Sequence, residues 1–245
     1  MSLQLLFGFH AVTVRLKVAP NSVRELFVDA SRQDQRMRHF LAKVAEMGLR
    51  ATEVDGERLQ QLCGTHRHQG VAARVEAIRQ THSLDDLLDG IEEPPLLLVL
   101  DGITDPHNLG ACLRVADGAG VHAVIAPKDH SAGINATVSK VASGAAETMP
   151  YFMVTNLART LTELKERSIW VVGTCDDAPR GLYEAGFKGP TALVLGAEGT
   201  GMRQLTRKHC DELVSIPMQG AVESLNVSVA SAVCLFEARR QRRAD

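Results

Sequence analysis

Short, largely apolar runs alternate through most of this chain with stretches whose apolar residues recur every three or four positions. Residues 96–100, 121–126, 169–172, 192–195 and 213–216 are runs of this kind, each stopped by glycine, proline or a polar residue. Runs with so little polar character suit strands buried on both faces of a parallel sheet. Between them, 106–118, 132–146, 157–167 and the stretch from Leu225 onward carry helical spacing. Asp105 followed by Pro106 joins an N-cap to a first-turn proline and marks a helix start. Strands and helices in this alternation predict an α/β fold with a parallel sheet covered on both faces. In such sheets ligands bind at the carboxyl ends of the strands, where the glycine-rich breaks fall.

The first part of the chain predicts a smaller α/β unit. Helical spacing over 7–18 stops at Ala19-Pro20, and residues 25–28 form a short strand. Ser31, with Asp34 three residues on, is placed to cap a helix whose apolar face is Met37, Phe40, Leu41 and Val44, ending at Gly48. Strands at 49–54 and 71–75 flank a short helix at 57–62. An acidic, proline-ended stretch follows, in which Ser83 and Asp86 can cap a short helix. The expected division is a domain over 1–76, a linker over 77–94 and a second domain over 95–245.

Charge changes this picture in one respect. Residues 1–80 hold 12 Lys and Arg against 8 Asp and Glu, whereas residues 81–245 hold 15 against 21. A basic first unit is compatible with an anionic polymer as partner, and equally with an ordinary solvated surface. With only 4% aromatic residues, a platform of rings for stacking bases is not expected. No stretch is long and apolar enough to span a membrane, and no secretory leader is apparent. Five scattered cysteines without a CxxC pair read as reduced, cytosolic thiols rather than bridges or a zinc site. His66 and His68 lack nearby ligands that would complete a metal set, so no metal is expected there and a loop touching a partner is favoured. His107 is read as a helix-start residue or a support for its neighbour Asn108.

Two stretches carry candidate chemistry. The run Gly196-Ala197-Glu198-Gly199-Thr200-Gly201 follows a strand, so its glycines let backbone approach a ligand. It is neither GxGxxG nor a phosphate-gripping loop, and Glu198 would repel a triphosphate; a neutral or cationic ligand suits it, or a turn with no ligand at all. Arg114 stands alone on an otherwise apolar helical stretch. Burying it requires a partner: either Asp117 or Asp101, or a substrate phosphate or carboxylate.

Together, Asn108-x-Gly110-x-x-x-Arg114, the stretch Leu195-Gly196-Ala197-Glu198-Gly199-x-Gly201, and Ile216-Pro217-Met218 followed by Ser224-Leu225-Asn226-Val227-Ser228 resemble the three ordered motifs of the SpoU (TrmH) family of RNA ribose methyltransferases. His68-Gln69-Gly70 and the unit around it resemble the RNA-binding domain of bacterial members, and the layout is similar to those that act on 23S rRNA guanosine. The resemblance implies a trefoil-knotted carboxyl-terminal domain of the SPOUT type, an S-adenosylmethionine site and a homodimer with active sites at its interface. It implies a cofactor pocket around Gly196, Ile216 and Leu225, with Leu195, Gly201 and Met218 beside them. It gives Arg114 the central catalytic duty, with Asn108, Glu198 and Asn226 in support and Ser224 on the substrate side. The expected acceptor is a ribose 2′-hydroxyl in 23S rRNA. A transfer-RNA methyltransferase, a non-catalytic rRNA-binding protein and a nicotinamide-dependent oxidoreductase are the competing readings; the missing GxGxxG weakens the last.

Overall fold

Separate hydrophobic cores divide the chain, whose computed structural model describes residues 3–76 and 83–243, into the units Met1–Gln80 and Thr81–Asp245. In the first unit the order is β1 (Leu3–Phe7), α1 (Phe9–Val18), β2 (Val23–Asp29), α2 (Gln35–Glu46), β3 (Thr52–Val54), α3 (Gly56–Cys63) and β4 (Val71–Glu76). The sheet runs β1-β4-β2-β3, with β4 antiparallel to both neighbours and β3 parallel to β2. Leu6, Val12, Leu26, Met37, Phe40, Val44 and Val75 fill its core. The expected apolar stripe of α2 faces inward, but its cap is Asp34, which accepts from the Arg36 and Met37 N–H groups. Ser31 instead donates from both its hydroxyl and its N–H to Asp29. An Asp can satisfy two amides of a helix start, so it displaces the serine from that duty.

The second unit follows the order α4 (Leu84–Asp89), β5 (Leu96–Asp101), α5 (Pro106–Ala119), β6 (Ala123–Pro127), α6 (Ala136–Ala142), α7 (Ala145–Thr148), β7 (Tyr151–Val154), α8 (Leu157–Glu166), β8 (Trp170–Thr174), β9 (Arg180–Gly181), β10 (Thr191–Gly196), α9 (Gln204–His209), β11 (Glu212–Ser215) and α10 (Val227–Arg242). Every pairing in its sheet, ordered β7-β6-β5-β10-β8-β11-β9, is parallel. The apolar runs alternate between its faces. Leu96, Leu98 and Leu100 join the core beneath α5 and α10, while Leu97 and Val99 join the core beneath α8. This is the two-sided parallel sheet that the apolar runs predict.

Ser83 and Asp86 form the expected capping box, and the helix they begin packs Leu84, Leu87 and Leu88 onto the α8 face. Of the stretch read as a linker, the part from Ser83 onward is therefore built into the second unit, and 77–82 lies outside the described residues. The helix expected over 132–146 is two helices. Ser143 and Gly144 stand in the left-handed region, at φ 53° and 96°, and break it. α6 lies so close to α5 that a Cβ on Gly110 would sit 2.7 Å from Val141 Cβ and 2.9 Å from the Val138 carbonyl oxygen. At the opposite end of the strands, Arg242 donates to the carbonyls of Pro94, Pro95, Phe187 and Gly189. The basic end of α10 is thus partly a backbone clamp.

Candidate functional site

β8, β10 and β11 are neighbours or next neighbours in the sheet, and their carboxyl ends open on the same side. A cavity of about 320 Å³ lies among the loops that leave them. β10 ends at Gly196, and the chain doubles back at once: the Ala197 N–H donates to the Gly201 carbonyl (3.1 Å) and the Gly201 N–H to the Ala197 carbonyl (2.8 Å). A Cβ on Gly196 would stand 2.1 Å from the Gly201 carbonyl carbon and from the Met202 nitrogen, so no other residue fits. Gly199 and Gly201 take left-handed conformations, at φ 80° and 65°, to close the turn. The G-x-x-G-x-G spacing is thereby explained by backbone geometry.

Leu195, Gly196, Gly201, Ile216, Met218 and Leu225 all line this cavity, as do Glu198 and Ser224. Asn226 stands at its edge as the cap of α10. Its Oδ1 accepts from the Ser228 N–H (3.0 Å) and hydroxyl (2.7 Å), which orients its Nδ2 to donate to Asn108 Oδ1 (3.0 Å) and Glu198 Oε2 (3.2 Å). One amide thus ties α5, the glycine turn and the start of α10 together. His107 contributes its backbone N–H to the Asp105 cap.

Arg114 is not part of this cluster within one chain. It lies six residues beyond Asn108 on α5, which places the two about 120° apart around the axis. Its side chain is exposed and donates to the Ser143 hydroxyl (3.4 Å), on the α6 side of the helix. Of the two alternatives for Arg114, the structural pairing with Asp117 or Asp101 is not the one seen. Asp101, fully buried, binds Arg203 (2.7 Å to Nε, 2.9 Å to the backbone N–H), and Asp117 accepts from Thr148 (2.7 Å).

Sequence reasoning missed Thr174, Cys175, Asp176, Arg207 and Glu223, which also line the cavity. The polar break after the run 169–172 was the available signal for the first three. Arg207 bonds Asp177 (2.9 Å) and holds that carboxyl below its ordinary range. Burial pushes the Cys175 thiol up to about 11, and the thiols of Cys63, Cys112, Cys210 and Cys234 to about 11 or 12. All five are free, and none is an activated nucleophile. Among the described residues no group of three or more His, Cys, Asp and Glu is arranged to hold a metal, and no helix is long and apolar enough to cross a membrane. His66 Nε2 is instead in hydrogen-bond contact with Gln60, and His68 Nδ1 accepts from the Gly70 N–H.

Comparison with known proteins extends these observations. Residues 95–236 match the SpoU rRNA Methylase family, and residues 5–81 match the pattern described as RNA 2′-O ribose methyltransferase substrate binding. A protein of Ralstonia nicotianae named 23S rRNA (guanosine-2′-O-)-methyltransferase RlmB is 66% identical, over 98% of this chain and 96% of its own. The protein of the same name from Neisseria meningitidis serogroup B is 56% identical, over 97% and 95%. Among solved structures, the SpoU methyltransferase AviRb from Streptomyces viridochromogenes, in complex with the cofactor AdoMet, is 26% identical and aligns over 99% of this chain and 92% of its own, with a TM-score of 0.79. The two-unit arrangement, the glycine-turned cavity and these matches agree: the chain belongs to the SpoU rRNA methylase family.

Proposed function

We propose that this protein transfers a methyl group from S-adenosylmethionine to the ribose 2′-hydroxyl of a guanosine in 23S rRNA, in the cytoplasm and as a homodimer. The observation that carries the reading is the cavity at the carboxyl ends of β8, β10 and β11, with the Asn226–Asn108–Glu198 cluster at its edge, in a chain 66% identical to a methyltransferase of that name.

The cavity suits the methyl donor. Leu195, Ile216, Met218 and Leu225 offer an apolar lining, and the turn over 197–201 offers backbone polar groups. Glu198 and Glu223 add negative charge on a side where a sulfonium would be welcome. S-adenosylmethionine, when bound, supplies an electrophilic methyl carbon. The protein's own residues must hold the ribose oxygen in line with it and stabilise charge as the hydroxyl proton leaves. Asn108 and Asn226, fixed by their mutual bond, orient the acceptor, and Glu198 anchors that pair from the glycine turn. Ser224 shapes the substrate side.

Arg114 acts as an electrostatic clamp. A guanidinium stays protonated, so it stabilises phosphate and the developing alkoxide rather than accepting a proton. Because it faces away from the cavity of its own chain, its duty is performed in the partner's site. The exposed apolar face of α10 supports that arrangement. Val229 and Phe236 are 48% and 52% exposed, with Val233 between them on the same face, and Phe236 lies beside Gly118 of α5. The test is transfer of a tritiated methyl group to unmodified 23S rRNA, followed by mapping of ribose methylation; no label in a 2′-O-methylguanosine would refute the reading.

A further inference from the structure

In the first unit one edge of the sheet gathers several loops. The Gly8 N–H donates to the Val71 carbonyl, the Asp29 N–H to the Gly70 carbonyl and the Ala30 N–H to the Val54 carbonyl, each at 2.9 Å. Residues 8–10, 30–36, 55–58 and 64–70 consequently share that edge. On it the guanidinium carbons of Arg32 and Arg36 stand 4.9 and 4.5 Å from the centroid of the Phe9 ring. The ring is only 4% exposed, so it supports the two cations but offers no face to a stacked base. Two like charges on one ring repel, and only one is neutralised. Arg32 pairs with Asp34, whereas Arg36 has no acidic partner among the described residues.

Most carboxylates of the same edge are already held, Asp34 by Arg32 as well as by the helix start, and Glu57 stands exposed beside Asp55. Asp29 accepts from Ser31, Asp34 caps α2, and Asp55 accepts from the Arg58 N–H at 2.7 Å. Arg67 projects, exposed, from a turn held by Thr65 Oγ1 on its N–H (3.2 Å). Arg32 reaches the Gln69 carbonyl and so braces that turn. Gly70 makes room for it: φ is +77°, and a Cβ there would lie 3.0 Å from Arg32 Cδ and 3.3 Å from Asp29 Cβ. His68-Gln69-Gly70 thus braces an edge on which Arg36 and Arg67 have no acidic partner among the described residues.

We infer that this edge grips phosphates of the RNA substrate, with Arg36 and Arg67 as the contacts and Arg32 as the positioning residue. The inference rests on the proposed RNA methyltransferase function, and it locates within residues 5–81 where the polymer lies. Recognition through phosphate rather than through stacked bases makes the binding steeply salt-dependent. Anisotropy titration of a labelled 23S rRNA fragment against the full chain tests it, at several salt concentrations. Arg67→Ala touches no packed group and serves beside Arg36→Ala, which also gives up the ring contact. Each is expected to weaken RNA binding several-fold and to flatten the log–log salt slope by about 0.7, with S-adenosylmethionine affinity unchanged. Wild-type affinity and slope in both variants would overturn the inference, as would a wild-type chain that does not bind the fragment. Arginine-dependent binding without methyl transfer would instead overturn the proposed function and leave this edge standing.

Discussion

At the scale of single residues, Asn226 and Gly196 show how a cavity can be shaped by very little. Asn226 uses its oxygen as a helix cap and its nitrogen to join Asn108 and Glu198, so one side chain holds three elements together. Gly196→Ala would drive a methyl group into the returning backbone; calorimetry should show loss of S-adenosylmethionine binding by more than about 100-fold while the circular dichroism of the fold persists. Arg114→Ala should lower kcat by about 100-fold or more with cofactor affinity unchanged, and turnover near wild type would remove Arg114 from the mechanism. Asp177, held low by Arg207, contributes stability above the ordinary carboxylate range and loses it as pH falls through its lowered value. Asp177→Asn should therefore lower the melting temperature slightly at neutral pH and flatten its decline between about pH 5 and pH 3, so that the variant and wild type converge at the acid end. Arg114 also marks where the sequence stops short. An arginine among apolar neighbours leaves a structural pair and a ligand contact equally open, because helical periodicity cannot reveal that one face of α5 is left uncovered within the chain.

At the scale of elements, the central strands were legible because burial on both faces leaves them nearly without polar residues. β5 and β10 carry that signature in full. Of the edge strands, only β3, inside the expected 49–54, was legible. β1 is half-exposed and β9 has two residues, too short for any period to register. β7, with only one fully buried position, carries no such signature and is absent from the apolar pattern. α9 is six residues between two loops and likewise escapes periodic reading. The overlong helix at 132–146 arose from small residues that favour no break, where Ser143 nonetheless turns left-handed. Caps were read more successfully, since Asp105 and Ser83 act as their types require. The cap of α8 gives a quantitative check: Asn156 accepts from the Arg159 N–H at 3.0 Å. Asn156→Ala should cost about 1 kcal/mol in urea unfolding, with the slope unchanged.

At the scale of the whole molecule, the pocket and Arg114 face different ways, so a complete site needs two chains under the proposed arrangement. Mixing inactive Arg114→Ala with inactive Gly196→Ala, after subunit exchange, should restore about one quarter of wild-type activity: half of the dimers are mixed, and each mixed dimer owns one intact site. A mixture that stays inactive would place the whole site in one chain. The Arg242 clamp has a different kind of consequence, one of timing. Its guanidinium closes on the carbonyl of Pro94, 148 residues earlier in the chain. During synthesis, the interval between those residues is on the order of ten seconds. Throughout it, the start of β5 has been made but its tie has not, so this sheet is completed late in translation while the first unit, independent in its core, is free to fold early.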